Sequence, residues 1–543
     1  MKNTGFSIID LLIALAYIIG TIGIGIYFSR QQKSAKDFLY ASRSMGWLPV
    51  GLSLMATLTS AVGYMAYPAG AFKGGLILLW MAVSIPLSFP LIVYVFMPFY
   101  HKLKVVTAYE YLERRFNDKV RALASIIFII WRITWMAAVI YVPSLVLDVV
   151  SNGEIPLVPS IIVMGIIATV KTALGGVKAV MWGDVIHSFV MFLGLFVSLG
   201  FIYSAVPGGF SEIWDTLKAG GKTKMTGQIF GFEEAGVIEK IRLYLVTDFT
   251  VVSLIITYTV QKMGNYCVDQ AMVQRYISAK SLKESQKGFY ANAVAYLLYI
   301  LLVTAIGVGL FAVANHLQFP SDMAVDNYFP YFIANVLPVG ITGLMVAAIW
   351  AASLSSLDGG INSITTAVLN DFYARYKLKQ YNLEVGENSE EEKARRLKLS
   401  RILTIFIGIA ITFFAFFVGL LGDIFTYSQT LINMFTGPLF GIFILGMFTK
   451  RATAPGVLIG GLVGFAIGSL MVFAKNLNIN FLGVGVLWPA FLSFIITIVL
   501  GYVSSLIIGR NTADTLNYTR RNVMNNKEMI NEKTKNEKFI NVG

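Results

Sequence analysis

Leu344–Asp371 reads LMVAAIWAASLSSLDGGINSITTAVLND. Its first third, Leu344 to Ala352, is apolar enough for the interior of a membrane. It then turns polar without leaving the hydrophobic segment, through Ser353, Ser355, Ser356, Asp358, Asn362 and Ser363, with Gly359 and Gly360 among them. Hydroxyls and a carboxylate inside a spanning helix are costly unless they face a cavity or bind something. Oxygen donors without Cys or His suit a hard cation rather than zinc or copper. The same small residues would also serve as a packing face, the glycine pair admitting a second backbone. The rest of the chain has to decide between a cation site and a packing face.

The 543 residues are 56% apolar and 13% charged, with a mean hydropathy of +0.69. This is the composition of an all-α polytopic membrane protein. Apolar runs long enough to cross about 30 Å of hydrocarbon number about thirteen. They fall near 8–29, 45–72, 75–99, 120–150, 157–173, 182–206, 244–268, 286–314, 338–370, 401–421, 424–448, 454–474 and 483–509. No basic region with a cleavage site precedes Ile8, so the first span is expected to stay in place.

The net charge of +13 does not point to nucleic acid, because the basic residues sit in particular loops. Arg30, Lys33, Lys36 and Arg43 form one set, His101 to Arg121 another, and Arg275 to Lys287 a third. Arg375 to Arg401, Lys450 with Arg451, and Arg510 continue the series. With thirteen spans all of these fall on one side, read as the cytoplasm, which puts the N-terminus outside and the C-terminus inside. Lys73 and Lys475 are lone charges on the other side, and the long loop 207–243 is a basic exception. Cys267 is the only cysteine and the three histidines are scattered, so neither a disulfide framework nor a metal cluster is expected. There is no Walker loop, GxSxG or HExxH, which leaves secondary transport or a channel rather than a pump or hydrolase.

Along the chain, Met45–Phe72 fills its middle with small and hydroxylated residues, Ala56-Thr57-Leu58-Thr59-Ser60-Ala61-Val62-Gly63. That composition fits either a helix unwound at the midplane, with carbonyls free for a cation, or a kinked packing helix. The charges of Val105–Phe116 read as a solvated cytoplasmic face, and Arg132 as a side chain reaching for the cytoplasmic interface. Gly175–His187 reads as the joint between two spans, its Asp184 being either a helix N-terminal charge or a cation partner. Lys262 lies well inside a span and either reaches the interface, pairs with Asp184 or Asp358, or faces a substrate anion. Asp269–Glu284 has the look of a loop helix. The acidic run from Glu387 reads as part of a solvated linker, and the tail 510–543 as disordered. Gly437-Pro438 suggests a second interrupted span. Two interrupted segments in successive groups of five spans, 45–206 and 244–448, are the pattern of an inverted-repeat transporter. The segment 1–44 and the last two spans, 449–509, then lie outside the repeats.

Three motifs carry a resemblance: Gly175-Gly176-Val177-Lys178-Ala179-Val180-Met181-Trp182-Gly183-Asp184-Val185; Val273-Gln274-Arg275-Tyr276 with Ala279-Lys280-Ser281; and Ala347 to Ser356. From about Phe6 to about Gly509 the chain resembles the sodium:solute symporter family. The resemblance implies a LeuT-type fold of two inverted five-helix repeats with alternating access. It implies a Na+ site made by the carbonyls of Ala56, Thr59 and Ala352 and the hydroxyls of Ser355 and Ser356. Asp184 matches an acidic position linked to a further sodium site in some members. That further site also uses hydroxyls where this chain has Asp358 and Gly359, so Asp358 either replaces a ligand or carries a proton.

The sugar-carrying branch has an acid at Ala82, an amide at Lys262 and a lysine at Tyr296, and only Gln429 fits it. The sialic-acid branch has an arginine at Trp135 and threonines at Leu58 and Gly63, which this chain lacks. Ala137–Leu145 is more similar to the branch carrying monocarboxylates, vitamins and iodide. The expected function is Na+-coupled import of a small organic anion such as a carboxylate, across the plasma membrane. Alternatives are a proton-coupled carrier or a neutral solute, sugar or amino acid; a sensor lacks room for a signalling domain beyond Arg510. Substrate is expected near Ser60, Gly63, Trp135, Lys262, Asn265, Tyr266 and Gln429. The implied partners are a small solute, Na+ and membrane lipid; no enzyme activity or nucleic acid is implied.

Overall fold

A chain this apolar has to satisfy its backbone within each segment, and helices do so. The computed structural model describes residues 6–526 except 31–37, 40, 228, 230–231, 321, 374–389, 422, 475–478 and 480–482. Its named elements are all helical, with one isolated bridge between Met45 and Ala279. Lys33, Lys36, Lys475 and the acidic run at 387–389 lie outside the described residues. Ten described helices are long and apolar enough to cross a membrane, or eleven if the bent pair Val237–Val246 and Val251–Val268 is one span. Length and hydropathy therefore do not recover the expected thirteen. Two runs are over-long, Ala61–Leu103 with 43 residues and Leu157–Ala205 with 49. At about 1.5 Å per residue the second would be roughly twice the bilayer core. It contains a non-helical Gly176 at φ 58°, and the first turns at Gly75, φ 75°; glycine takes such angles without strain. The joint expected over Gly175–His187 is thus confined to Gly176, with helix on both sides.

The long helices are α1 (Ile8–Ser29), α2 (Trp47–Leu58), α3 (Ala61–Gly74), α4 (Asp118–Val150) and α5 (Leu157–Ala205). They continue with α6 (Val251–Val268), the short α7 (Gln270–Ile277), α8 (Leu282–His316) and α9 (Ile341–Ala367). The chain closes with α10 (Glu390–Ala415), α11 (Ile424–Phe448), α12 (Ala454–Phe473) and α13 (Trp488–Ile507). The stretch with which the sequence reading began forms most of α9, and it is the centre of the molecule. Nearly all of it is buried, against α1, α2, α4, α5 and α10. Asp10 of α1 fastens its start: Oδ1 accepts the Gly340 and Gly343 amides, each at 2.7 Å. A carboxylate there satisfies orphan amides and complements the helix dipole.

Besides Gly176, two interruptions among the described residues bear on the core. The first separates α2 from α3 at Thr59 and Ser60. The second lies at Asp269, extended at φ −74° and ψ 119°, between α6 and α7. It does not lie at Gly437-Pro438, where α11 runs through unbroken. Gly437 serves a different end: a Cβ there would sit 2.2 Å from the Ala490 carbonyl of α13. All eight residues of α7 are buried, so it is not an exposed loop helix.

Several charges read as solvated are not. Arg115 is fully buried and donates to the carbonyls of Gly446 at 3.0 Å and Thr449 at 2.9 Å, closing the end of α11. Arg121 is paired with Asp371 and Glu113. Residues 510–526 hold two short helices against the body, with Val523 buried; 527–543 lie outside the described residues.

At the periphery, α12 and α13 meet through a ladder of small residues. Gly456, Gly460, Gly464 and Gly468 recur every four residues and face Ser505, Gly501, Thr497 and Ser493. Without water to drive them together, membrane helices rely on this kind of close packing. A Cβ at Gly460 would lie 2.6 Å from both Gly501 Cα and Thr497 O, whereas one at Gly200 meets nothing within 4 Å. Gly460→Ala is expected to destabilise the protein by about 1–3 kcal/mol through overpacking. Gly200→Ala should leave stability unchanged or raise it by up to about 1 kcal/mol. Thermal melts of the two purified variants in detergent check this; equal melting temperatures would refute the tight α12–α13 contact.

Candidate cation and substrate site

The break between α2 and α3 releases the carbonyls of the last turn of α2, because no helical amides follow. Thr59 (φ −96°, ψ 63°) and Ser60 (φ −68°, ψ 169°) are both non-helical and fully buried. Ser60 starts α3 by accepting the Gly63 amide at 3.4 Å. Helix α9 brings its hydroxyls to the break: Ser356 Oγ donates to the Thr57 carbonyl at 2.9 Å. Ser355 Oγ, one residue earlier, is buried and faces the Asp184 carboxylate. Ala56, Thr59, Ala352, Ser355 and Ser356 are all inaccessible to solvent. Hydroxyls beside freed carbonyls, with a buried carboxylate next to them, fit a small hard cation held by oxygens.

Beside the break lies a cavity lined by α2, α3, α4, α6 and α11. Gly63, Trp135, Lys262, Asn265 and Gln429 line it as expected. Two candidates do not. Ser60 is used as the α3 cap, and Tyr266 turns away to bond Asn292 at 3.1 Å. Thr57, Tyr67, Trp131, Arg132, Gln261 and Ser428 line the cavity and were not anticipated. Only their polarity at membrane depth marked them in the sequence. Gln261 holds Gln429 Oε1 at 3.1 Å and Asn433 Oδ1 at 2.6 Å. Thr57 Oγ1, Trp131 Nε1 and Asn265 Oδ1 are buried without partners, so the lining has unused donors and an unused acceptor.

Neither cation in this lining reaches an interface. Arg132 does not snorkel: it is paired with Asp269, Nε to Oδ1 at 3.2 Å, and lies over the Trp131 ring. Asp269 can take it because the α6–α7 break leaves that carboxylate in the core, where it also caps α7 through the Ala271 amide at 2.9 Å. Lys262 is 5% exposed. Its ammonium sits over the Tyr296 ring, 3.8 Å from the centroid, with no carboxylate partner among the described residues. Neither Asp184 nor Asp358 pairs with it. Asp184 is well inside the second half of α5, not at a helix start, and faces Ser53 and Arg275. Asp358 meets Lys171 at 2.7 Å. Gly359 is needed next to it, since a Cβ there would be 2.2 Å from Arg275 Nη2.

Na+ bound to the folded protein should raise its melting temperature by mass action. For Ser355→Ala and Ser356→Ala, the Na+ concentration giving half the thermal shift is expected to rise several-fold or more. Insertion and the sodium-free melt should be preserved. A sodium response unchanged in both variants would return α9 to a packing role.

Known proteins are similar to this chain over most of its length. The sodium/sialic acid symporter SiaT of Proteus mirabilis (strain HI4320) is 31% identical over 492 residues, covering 89% of this chain and 93% of its own length. The sodium-dependent multivitamin transporter of Oryctolagus cuniculus is 31% identical over 469 residues, covering 84% of this chain and 69% of its own. The substrate-bound outward-open structure of a Na+-coupled sialic acid symporter matches with a TM-score of 0.78 at 27% identity, covering 93% of this chain and 99% of that one. Mhp1, a nucleobase-cation-symport-1 family transporter, matches in fold alone, with a TM-score of 0.52 at 14% identity over 89% of this chain and 97% of its own. The fold is of the LeuT type seen in these transporters. The sodium:solute symporter family profile covers residues 38–464, and the chain belongs to that family.

Proposed function

We propose that this Na+-coupled transporter imports a small organic anion, a carboxylate, across the plasma membrane. The observation that supports it is the Lys262 ammonium, buried in the cavity wall with a ring but no anion beside it. An unpaired buried charge is costly, and a bound carboxylate would offset that cost. The α3 N-terminus, whose dipole is positive, lies against the same cavity through Gly63. A neutral solute would leave Lys262 unpaired, so the site should reject it. Sialic acid is not proposed, because Trp135 stands at the arginine position expected of that branch.

Na+ binds at the α2–α3 break, to the carbonyls of Ala56, Thr59 and Ala352 and the hydroxyls of Ser355 and Ser356. It favours the outward-open state; substrate then binds next to it and favours closure. Coupling requires only that each ligand prefers one state. The paired basic loops favour an outside N-terminus and a cytoplasmic C-terminus. The proton-coupled alternative needs a carboxylate free to titrate, and both Asp184 and Asp358 are paired with cations.

Uptake of radiolabelled short carboxylates into proteoliposomes tests the reading. Replacing Na+ by choline at fixed pH should abolish uptake, and a pH step at fixed Na+ should not substitute for it; the reverse result indicates a proton carrier. For a carboxylate that is taken up, its amide should compete at least about tenfold more weakly, matching a difference of about 1.4 kcal/mol. Lys262→Gln should erase that preference while leaving sodium affinity nearly intact. An amide that competes as well as the acid in the wild type overturns the anion assignment.

A further inference from the structure

Beside the sodium site is a second cluster that the transport reading leaves unused. Asp358 is two residues from Ser356 on α9, and Asp184 faces the same region from α5. Both are buried, at 1% and 0% exposure. Two carboxylates next to a cation site are the groups from which a second cation site would be made. Each is already engaged. Lys171 of α5 places Nζ 2.7 Å from Asp358 Oδ2, an ion-pair contact outside hydrogen-bonding angles. Thr172 Oγ1 donates to Oδ1 at 2.8 Å. Arg275 of α7 faces Asp184 Oδ2 at 3.5 Å and donates to Ser53 Oγ at 2.7 Å. Ser53 in turn donates to the same carboxylate oxygen.

An imidazole contacts Lys171 beside the carboxylate. Its Nζ is 2.9 Å from His187 Nε2. An ammonium has donors only, so Nε2 must accept and Nδ1 must carry the imidazole proton towards Tyr17 Oη. The ammonium is therefore fixed between a carboxylate and an imidazole acceptor, with α1 closing the network from outside. A second Na+ on Asp358 would have to share that carboxylate with an ammonium 2.7 Å from it, and the two positive charges repel.

We infer that Lys171, salt-bridged to Asp358 beside the sodium site, is a tethered cation in the second cation position, so that the chain binds one exchangeable Na+ per cycle. The inference rests on the sodium site proposed above. The test needs no substrate: binding of radioactive sodium to the purified full-length protein, counted per chain by scintillation proximity. Wild type is expected to saturate at one Na+ per chain with a non-cooperative isotherm. Lys171→Gln removes the ammonium, frees Asp358 and should bind two. Lys171→Gln combined with Asp358→Asn should return to one. Two sodium ions on the wild type overturn the inference and leave the first site standing. No sodium on the wild type overturns the underlying site as well. A Lys171→Gln protein with the wild-type gel-filtration profile and melt that still binds only one also overturns it. If that variant does not fold, the wild-type count decides alone.

Discussion

In hydrocarbon, a carbonyl that loses its helical partner has to find another, because no water can replace it. The break at Thr59–Ser60 creates such carbonyls at full burial, and much of the core is arranged to answer them. Helix α9 supplies Ser356 as a donor to Thr57 and turns Ser355 towards the Asp184 carboxylate. Helix α1 fixes the start of α9 through Asp10, and the two halves of α5 pack along it. A break that would be a defect in a simple span becomes a ligand set once a helix rich in small hydroxylated residues crosses it.

The second break works through charge rather than carbonyls. By ending α6 at Asp269 the chain brings a carboxylate into the core, where it meets Arg132 and caps α7. Helix α7 then delivers Arg275 to Asp184. Five of the six buried Lys and Arg side chains among the described residues are matched in this way: Arg121, Arg132, Lys171 and Arg275 by carboxylates, and Arg115 by helix-end carbonyls. Lys262 has only an aromatic ring. Its isolation is informative because the other five buried cations among the described residues are all matched.

Much of this was legible in the sequence, for a physical reason. Burying hydroxyls and small residues within otherwise apolar runs is expensive, so their presence in 45–72 and 344–371 marked the two segments that meet at the α2–α3 break. The LeuT-type fold followed from the resemblance to the family. Legibility failed where periodicity is silent. Gly437-Pro438 had the local chemistry of a break, yet α11 continues, and Gly437 is there for the approach of α13. The real second break at Asp269 carries neither Gly nor Pro.

Sequence by itself determined the class, the polar segments and the kind of cation, because hydropathy and donor chemistry are properties of residues taken one at a time or in short runs. Pairing was decided only in three dimensions. Arg132, Lys171 and Arg275 find their carboxylates 137, 187 and 91 positions away along the chain. No short-range pattern records such distances. Which ionised groups neutralise one another, and which single ammonium is left facing the cavity, follows from how the helices cross.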